Sequence, residues 1–337
     1  DQWELDLGTG AKGEAPSAAA QTTEARAAKA CLERPAVAGS SMEAVVEREN
    51  LKQALARVKR NKGTAGIDGM GVGDLPAYLK EHWPTIRSQL LEGSYKPQPV
   101  RRVEIPKVSG GTRPLGIPTV RDRVVQTALR MVLEPIFERD FAAHSYGFRP
   151  GRGCKDALRR VEELLKGGAV FVVDVDLKSF FDTIPHDRLL AEVGRKVADG
   201  KIMRLLQQFL QQGVLDGLAA WTPEEGTPQG AVISPLLSNI YLDPLDQTMA
   251  GAGFEMVRYA DDFVVLCRDE AEAARALEGI AGWTASAGLH LHPTKTRIVD
   301  ARAGGDLAGQ HHQVVLDQGL GGDARAGILR EDRVEHR

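Results

Sequence analysis

The chain has 337 residues, 42% hydrophobic and 26% charged, with a formal net charge of −3. This is a globular composition, with enough apolar material for a core and two domains. No apolar run reaches the roughly 18 residues that a membrane span needs. The first forty residues lack the basic-then-apolar order of a signal peptide. Cys31, Cys154 and Cys267 are far apart and odd in number, which excludes a disulfide framework and zinc-ligand spacing. A cytoplasmic protein with no membrane partner is expected.

The small net charge hides an asymmetry. Residues 42–160 carry 22 Lys and Arg against 13 Asp and Glu, so the remainder is strongly acidic. A basic half beside an acidic half suits a protein that grips phosphates on one side and holds metal on the other. An ordinary solvated basic surface has the same signature.

Residues 1–41 are rich in Ala, Gly, Thr and Glu and read as a flexible leader. Apolar residues at helical spacing predict one helix over Met42–Arg60 and another over Leu75–Glu92, interrupted by Pro84. Between them, Gly63 to Gly69 is a loop. Val100–Lys107 alternates apolar and charged residues as a half-exposed strand. Gly110 and Gly111 turn it into a return strand over Thr112–Pro118, whose prolines mark an edge. Such a ribbon could present Lys107 and Arg113 on one face as a triphosphate clamp, or simply as two surface cations. Thr119–Arg139 and Cys154–Lys166 read as helices. The loop between them, Ser145–Gly153, interleaves aromatics with guanidiniums, which suits stacking and phosphate contact on an extended strand, or is simply a turn.

Ala169–Leu177 is an apolar strand that turns polar at Asp176, which either presents a carboxylate on a rigid element or caps the next turn. Asp187–Val197 and Ile202–Gln212 follow as helices. Gly226-Thr227-Pro228-Gln229-Gly230 is a loop before a helix that Ser234 caps, with Pro235 at its first position. Then come two β-prone runs, Phe254–Tyr259 and Phe263–Cys267, with Asp261 and Asp262 at the hairpin tip between them. Two adjacent carboxylates are either a solvated polar turn or a site for a hard divalent cation. A helix from Glu270 to about Ala287, a turn with His290 and His292, and a strand ending at Val299 complete the pattern. Without a third ligand in view, two solvent-side histidines explain that pair better than metal ligation does. The Gly-rich stretch after Ala301 reads as a poorly packed tail.

Asp176 on one strand and Asp261 and Asp262 on a hairpin could converge on two divalent ions for in-line phosphoryl transfer, with a cationic ribbon for the triphosphate. The physics points to a nucleotidyl transferase.

From Met42 to Asp300 the chain resembles reverse transcriptases of the group II intron-encoded, bacterial type. Seven stretches carry the resemblance in order. They are Asn61–Gly69; Ile105-Pro106-Lys107 with Thr112–Pro118; Tyr146–Pro150; Asp176–Asp182; Thr227–Gly230 with Ile233–Leu236; Tyr259–Asp262; and His292–Arg297. The resemblance implies an α+β fold, a right-hand polymerase with fingers over 42–155 and a palm over 156–300. The palm would be an antiparallel sheet with helices. It implies catalytic and metal-binding roles for Asp176, Asp261 and Asp262, with the Leu177 carbonyl also on a metal. The cofactor would be Mg²⁺, two ions, with Mn²⁺ as the alternative. Nucleotide contacts would fall to Lys107, Arg113, Gln229 and Lys295, and Phe181 would exclude a 2′-hydroxyl. Arg101, Arg102, Arg149 and Arg152 would meet RNA. Implied partners are dNTPs, an intron RNA template and a DNA or RNA primer, with maturase and retrohoming roles; no oligomeric state is implied.

The family continues past the palm into a strand and a helical thumb. Here Gly305–His312 lacks that strand's aromatics and no basic helices follow, so a truncated or frame-shifted chain with the thumb missing is expected over 301–337. The alternatives are a catalytically weak remnant that only binds RNA, and a retron or diversity-generating reverse transcriptase.

Overall fold

The computed structural model describes residues 41–106, 112–216 and 219–302. Among the described residues the fold is α+β, with two four-stranded sheets and helices around them. The expectations for the leader and for 303–337 lie outside the described residues.

The first helical stretch is two helices, α1 (Met42–Val45) and α2 (Arg48–Arg60). Ser41 caps the first. The Glu47 carboxylate accepts from the Glu49 and Asn50 amides at 2.8 and 2.9 Å and so starts the second. The continuous helix expected over Met42–Arg60 is therefore corrected: a cap inside the apolar period breaks it. Helix α3 (Leu75–Glu92) runs through Pro84 and ends at Gly93, whose φ of 72° is the left-handed stop that glycine tolerates best. Helix α4 (Val120–Glu138) is capped by Thr119.

The first sheet has the order β2-β1-β4-β5. It holds β1 (Val100–Pro106), β2 (Thr112–Ile117), β4 (Val214–Asp216) and β5 (Ala219–Trp221). β1 and β2 form the expected ribbon, with β2 on the edge. The pair β4–β5 was absent from the sequence reading.

The second sheet carries the site. It is wholly antiparallel, order β6-β7-β3-β8. Its strands are β3 (Phe171–Val175), β6 (Glu255–Tyr259), β7 (Asp262–Cys267) and β8 (Arg297–Asp300). Both faces are covered, which explains why β3 and β7 read as continuous apolar runs. Val173, Val175, Phe263, Val265 and Cys267 join the main core with α9 (Ser234–Gly251) and α10 (Glu270–Ser286). Val172, Val264 and Leu266 turn the other way and pack on Ala157 and Val161 of α5 (Cys154–Lys166). Short α6 (Phe180–Thr183), α7 (His186–Gly194) and α8 (Gly200–Leu210) lead from β3 to the first sheet. Ser234 is the first residue of α9 rather than its cap, and its hydroxyl donates to the Pro228 carbonyl at 3.0 Å.

Candidate active site

The site is built from sheet register. In the β3–β7 ladder Val175 faces Phe263. One further step of the same antiparallel register sets Asp176 opposite Asp262. In the β3–β8 ladder Asp174 faces Arg297, and Lys295 lies in the turn two residues ahead of it, from which its side chain reaches Asp176. Asp262 and Asp176 thus stand side by side at the end of the sheet, with the Lys295 side chain on Asp176. Two residues behind, on the same face, the row is Val264, Asp174 and Arg297.

The side chains confirm this order. Lys295 Nζ lies 2.8 Å from Asp176 Oδ2, and Arg297 Nε is 3.6 Å from an Asp174 oxygen. The backbone of Asp176 is held as well: its carbonyl accepts from the His292 amide at 2.8 Å and from the Thr296 hydroxyl at 3.3 Å. The Lys178 amide donates to the His290 carbonyl at 2.8 Å. Leu177 bridges to Leu291. His290 and His292 therefore serve the strand end through their backbones.

The hairpin turn is tight. Tyr259 pairs with Asp262, leaving Ala260 and Asp261 as a two-residue connection. Ala260 has φ 61°, a left-handed value in the first turn position, where glycine is the usual residue. Tyr146 and Gly147 lie against it. The Tyr146 amide donates to the Arg258 carbonyl at 2.8 Å, and a Cβ on Gly147 would stand 2.9 Å from the Ala260 Cα. Glycine is thus needed at 147 for backbone to approach backbone. Phe148 is 42% exposed with φ 59°.

The electrostatics follow from the crowding. Burial, then Asp261, Asp176 and Asp174, push the Asp262 carboxyl up to about 8, against a smaller opposing effect of Lys295. Burial also raises Asp174. Among the described residues no three Asp, Glu, His or Cys side chains close into a metal cage. An open set of mutually repelling carboxylates is nevertheless the donor chemistry of a hard divalent ion, which Mg²⁺-type sites hold by one or two carboxylates plus water and substrate oxygens. The residues present fit such an ion.

The loop of Gln229 is anchored on α6, the helix that follows Asp176 in the chain. The Thr227 amide donates to the Phe181 carbonyl at 2.6 Å and the Gly226 amide to that of Ile184 at 2.8 Å. Gln229 Nε2 donates to Asp182 Oδ1 at 3.1 Å, while its carbonyl accepts from the Gly116 amide at 2.7 Å. One loop therefore links β2 to α6 and brings Gln229 to the residue after Phe181. Arg113 stands in β2 opposite Ile105. Lys107, its expected companion, lies outside the described residues.

The four arginines assigned to RNA have partners within the chain. Arg149 is 6% exposed. It pairs with Glu138 at 2.9 Å and donates to the Ala142 and Ser145 carbonyls at 2.6 and 2.7 Å, so it braces the loop from inside. Arg152 donates to the Ala143 carbonyl and lies over Tyr146. Arg101 donates to the Ala65 carbonyl at 2.9 Å. Arg102 pairs with Glu104 at 2.7 Å and lies over the exposed Trp221 ring. The sequence reading missed Asp174, two residues before Asp176 on the same strand, and the buried partners of Arg258.

Residues 105–314 match the family of reverse transcriptases (RNA-dependent DNA polymerases), and the chain belongs to that family. Reverse transcriptases use divalent metal ions, in keeping with the acid row. Among individual proteins, the chain is 44% identical over 209 residues to protein YkfC of Escherichia coli K12, covering 60% of this chain and 55% of YkfC. It is 42% identical over 188 residues to the group II intron-encoded protein LtrA of Lactococcus lactis, covering 56% of this chain and 31% of LtrA. The chain thus spans about half or less of these relatives. A solved telomerase from Candida albicans, in complex with a TWJ fragment of telomeric RNA, shares the fold at TM-score 0.50 and 13% identity. That match covers 67% of this chain and 47% of the telomerase chain. No helix among the described residues is long and apolar enough to cross a membrane.

Proposed function

We propose that this chain is the fingers (42–155) and palm (156–300) of a group II intron reverse transcriptase, adding dNTPs to a primer 3′-hydroxyl on an intron RNA template. The observation that carries the reading is the pairing of Asp262 with Asp176 at the sheet end, with the Lys295 ammonium 2.8 Å from Asp176. Asp176, Asp261 and Asp262 would hold two Mg²⁺ ions with the Leu177 carbonyl. Ions held there would lower the pKa of the attacking hydroxyl and steady the leaving pyrophosphate.

The chain's own groups do the rest. Lys295 balances the charge of Asp176 and is placed to meet the phosphates. The β2 cation Arg113, with Lys107, grips the triphosphate. Phe181, locked by its carbonyl to Thr227, sets a wall where a 2′-hydroxyl would stand. Gln229, tethered at both ends, contacts the nucleotide. The likeness to a group II intron-encoded protein supports the intron assignment, and with it the maturase role in splicing and retrohoming that the resemblance implies.

The test is Mg²⁺-dependent dTTP incorporation on poly-rA with an oligo-dT primer, comparing the chain with Asp261→Ala. Incorporation by the parent and its loss in the variant are expected. Equal incorporation by both would remove Asp261 from the mechanism.

A further inference from the structure

The largest fully buried side chain among the described residues is not apolar. It is Arg258, with 0% exposure, two residues before the catalytic turn and three before Asp261. Its guanidinium is committed on several sides. Nε donates to both Asp246 oxygens, at 2.8 and 3.1 Å, and Nη2 donates to the same carboxylate. Nη1 donates to Asn239 Oδ1 at 2.9 Å and to the Ala260 carbonyl at 2.7 Å. Asp246 is 4% exposed and Asn239 1%. These two lie seven residues apart on α9, two turns along one helix face. Asn239 goes further, donating from Nδ2 to the Gly147 carbonyl at 2.9 Å. The Arg258 backbone meanwhile donates to the His144 carbonyl at 2.9 Å and accepts from Tyr146.

The network therefore closes a ring around the turn. α9 holds Arg258, Arg258 holds the carbonyl of Ala260, and Asn239 holds the glycine that lies against the same residue. A buried ion pair of this kind is weak grounds for stability, because apolar residues of similar volume serve as well or better. The turn supplies the reason to keep it. Ala260 is strained where glycine would be relaxed, and such a conformation persists when its surroundings over-determine it. An unbraced two-residue turn would be free to relax, carrying Asp261 and Asp262 out of the row with Asp176.

We infer that Arg258, with Asp246 and Asn239, is a positioning device that holds the Asp261–Asp262 turn in register with Asp176. The guanidinium fork is the required shape. Lysine keeps the charge but offers a single compact head, which cannot reach Asp246, Asn239 and Ala260 together. The inference rests on the metal-site reading proposed above, and its test separates the two.

Three variants are compared with the parent chain: Asn239→Ala, Arg258→Lys, and the charge-free double variant Arg258→Met with Asp246→Leu. The first readout is Mn²⁺ binding followed by EPR, which needs no turnover. The second is single-dTTP addition to a primed RNA template, split into kcat and KM. Thermal melting and far-UV circular dichroism report folding. The double variant is expected to fold, to bind Mn²⁺ about tenfold more weakly and, as expected for a misplacement near 1 Å, to lose on the order of 100-fold in kcat. KM for dTTP should stay within roughly threefold. Arg258→Lys should fail to rescue. Asn239→Ala, which leaves the ion pair in place, should show the same loss to a smaller degree, so a double variant that unfolds does not end the test.

Folded variants with parental Mn²⁺ affinity and kcat would overturn the positioning role. A parent that binds Mn²⁺ without polymerising, alongside variants that lose the ion, would keep the positioning role and sink the polymerase reading. A parent that binds no Mn²⁺ would sink both.

Discussion

Replacing Asp262 by Asn should make the metal-free protein more stable while disabling it. An aspartate ionises near 3.8 in an unfolded chain, and its crowded place in the folded protein raises Asp262 to about 8. At pH 7 folding therefore takes up a proton. Holding the group neutral costs about 1.36 kcal/mol for each pH unit above the unfolded value, on the order of 4 kcal/mol in all. The carboxyl keeps some contact with solvent, so about half of that, ~2 kcal/mol, is a fair expectation for the gain on removing it. For a protein of this size that corresponds to a melting temperature higher by about 3–4 °C.

The pH dependence has a definite sign. Because the folded value lies above the unfolded one, the contribution of Asp262 is most favourable below pH 3.8. It is lost progressively as pH rises, up to about 8. Melting curves in EDTA from pH 5 to 8 should fall more steeply for the parent than for Asp262→Asn. Millimolar Mg²⁺ should raise the parent's melting temperature at pH 8 and leave the variant's nearly unchanged. Melting of Asp262→Asn at or below the parent in EDTA at pH 7 would refute the reasoning, since the acids would then not be repelling one another.

Other substitutions separate roles. Phe181→Ala should raise rNTP incorporation relative to dNTP by at least about tenfold in competition assays; unchanged selectivity would show that the ring does not face the sugar. Arg149→Ala should lower stability by roughly 3 kcal/mol in denaturant titration, because it strands Glu138 and two carbonyls; a neutral result would return Arg149 to the list of nucleic-acid contacts. Gly226→Ala forces a side chain at φ 86° to within 2.8 Å of the Phe181 and Asp182 carbonyls. KM for dNTP should rise about tenfold as Gln229 is displaced, and unaltered kinetics would mean that this loop does not position the nucleotide.

Local periodicity carried much of this fold. α3 and α5 follow apolar spacing to their observed ends, and β3 and β7 were plain as apolar runs. Single acids at strand ends were visible too, because the change from Val175 to Asp176 is abrupt. What stayed hidden is non-local. Lys295 meets Asp176 across 119 residues, and Arg258 finds Asp246 by a strand crossing a helix. The residue types alone do not say which arginine is inside: Arg149 and Arg152 look equivalent in sequence, yet one is buried in carbonyls. The β4–β5 pair had a usable signal in Asp216-Gly217 between short apolar runs, a hairpin pattern, but three-residue strands lie near the limit of any periodicity.

The strand order β6-β7-β3-β8 has a consequence for the chain as it is synthesised. β3 is made first yet ends in the middle, and its two neighbours are translated some 90 and 125 residues later. Until then both of its edges carry bare amides and carbonyls on a Val-rich segment, an invitation to pair with another nascent chain. A ribosome stalled anywhere between Val175 and Asp262 leaves that strand open on both sides. Chaperone demand and aggregation of nascent chains should therefore peak within this window and drop once β7 emerges.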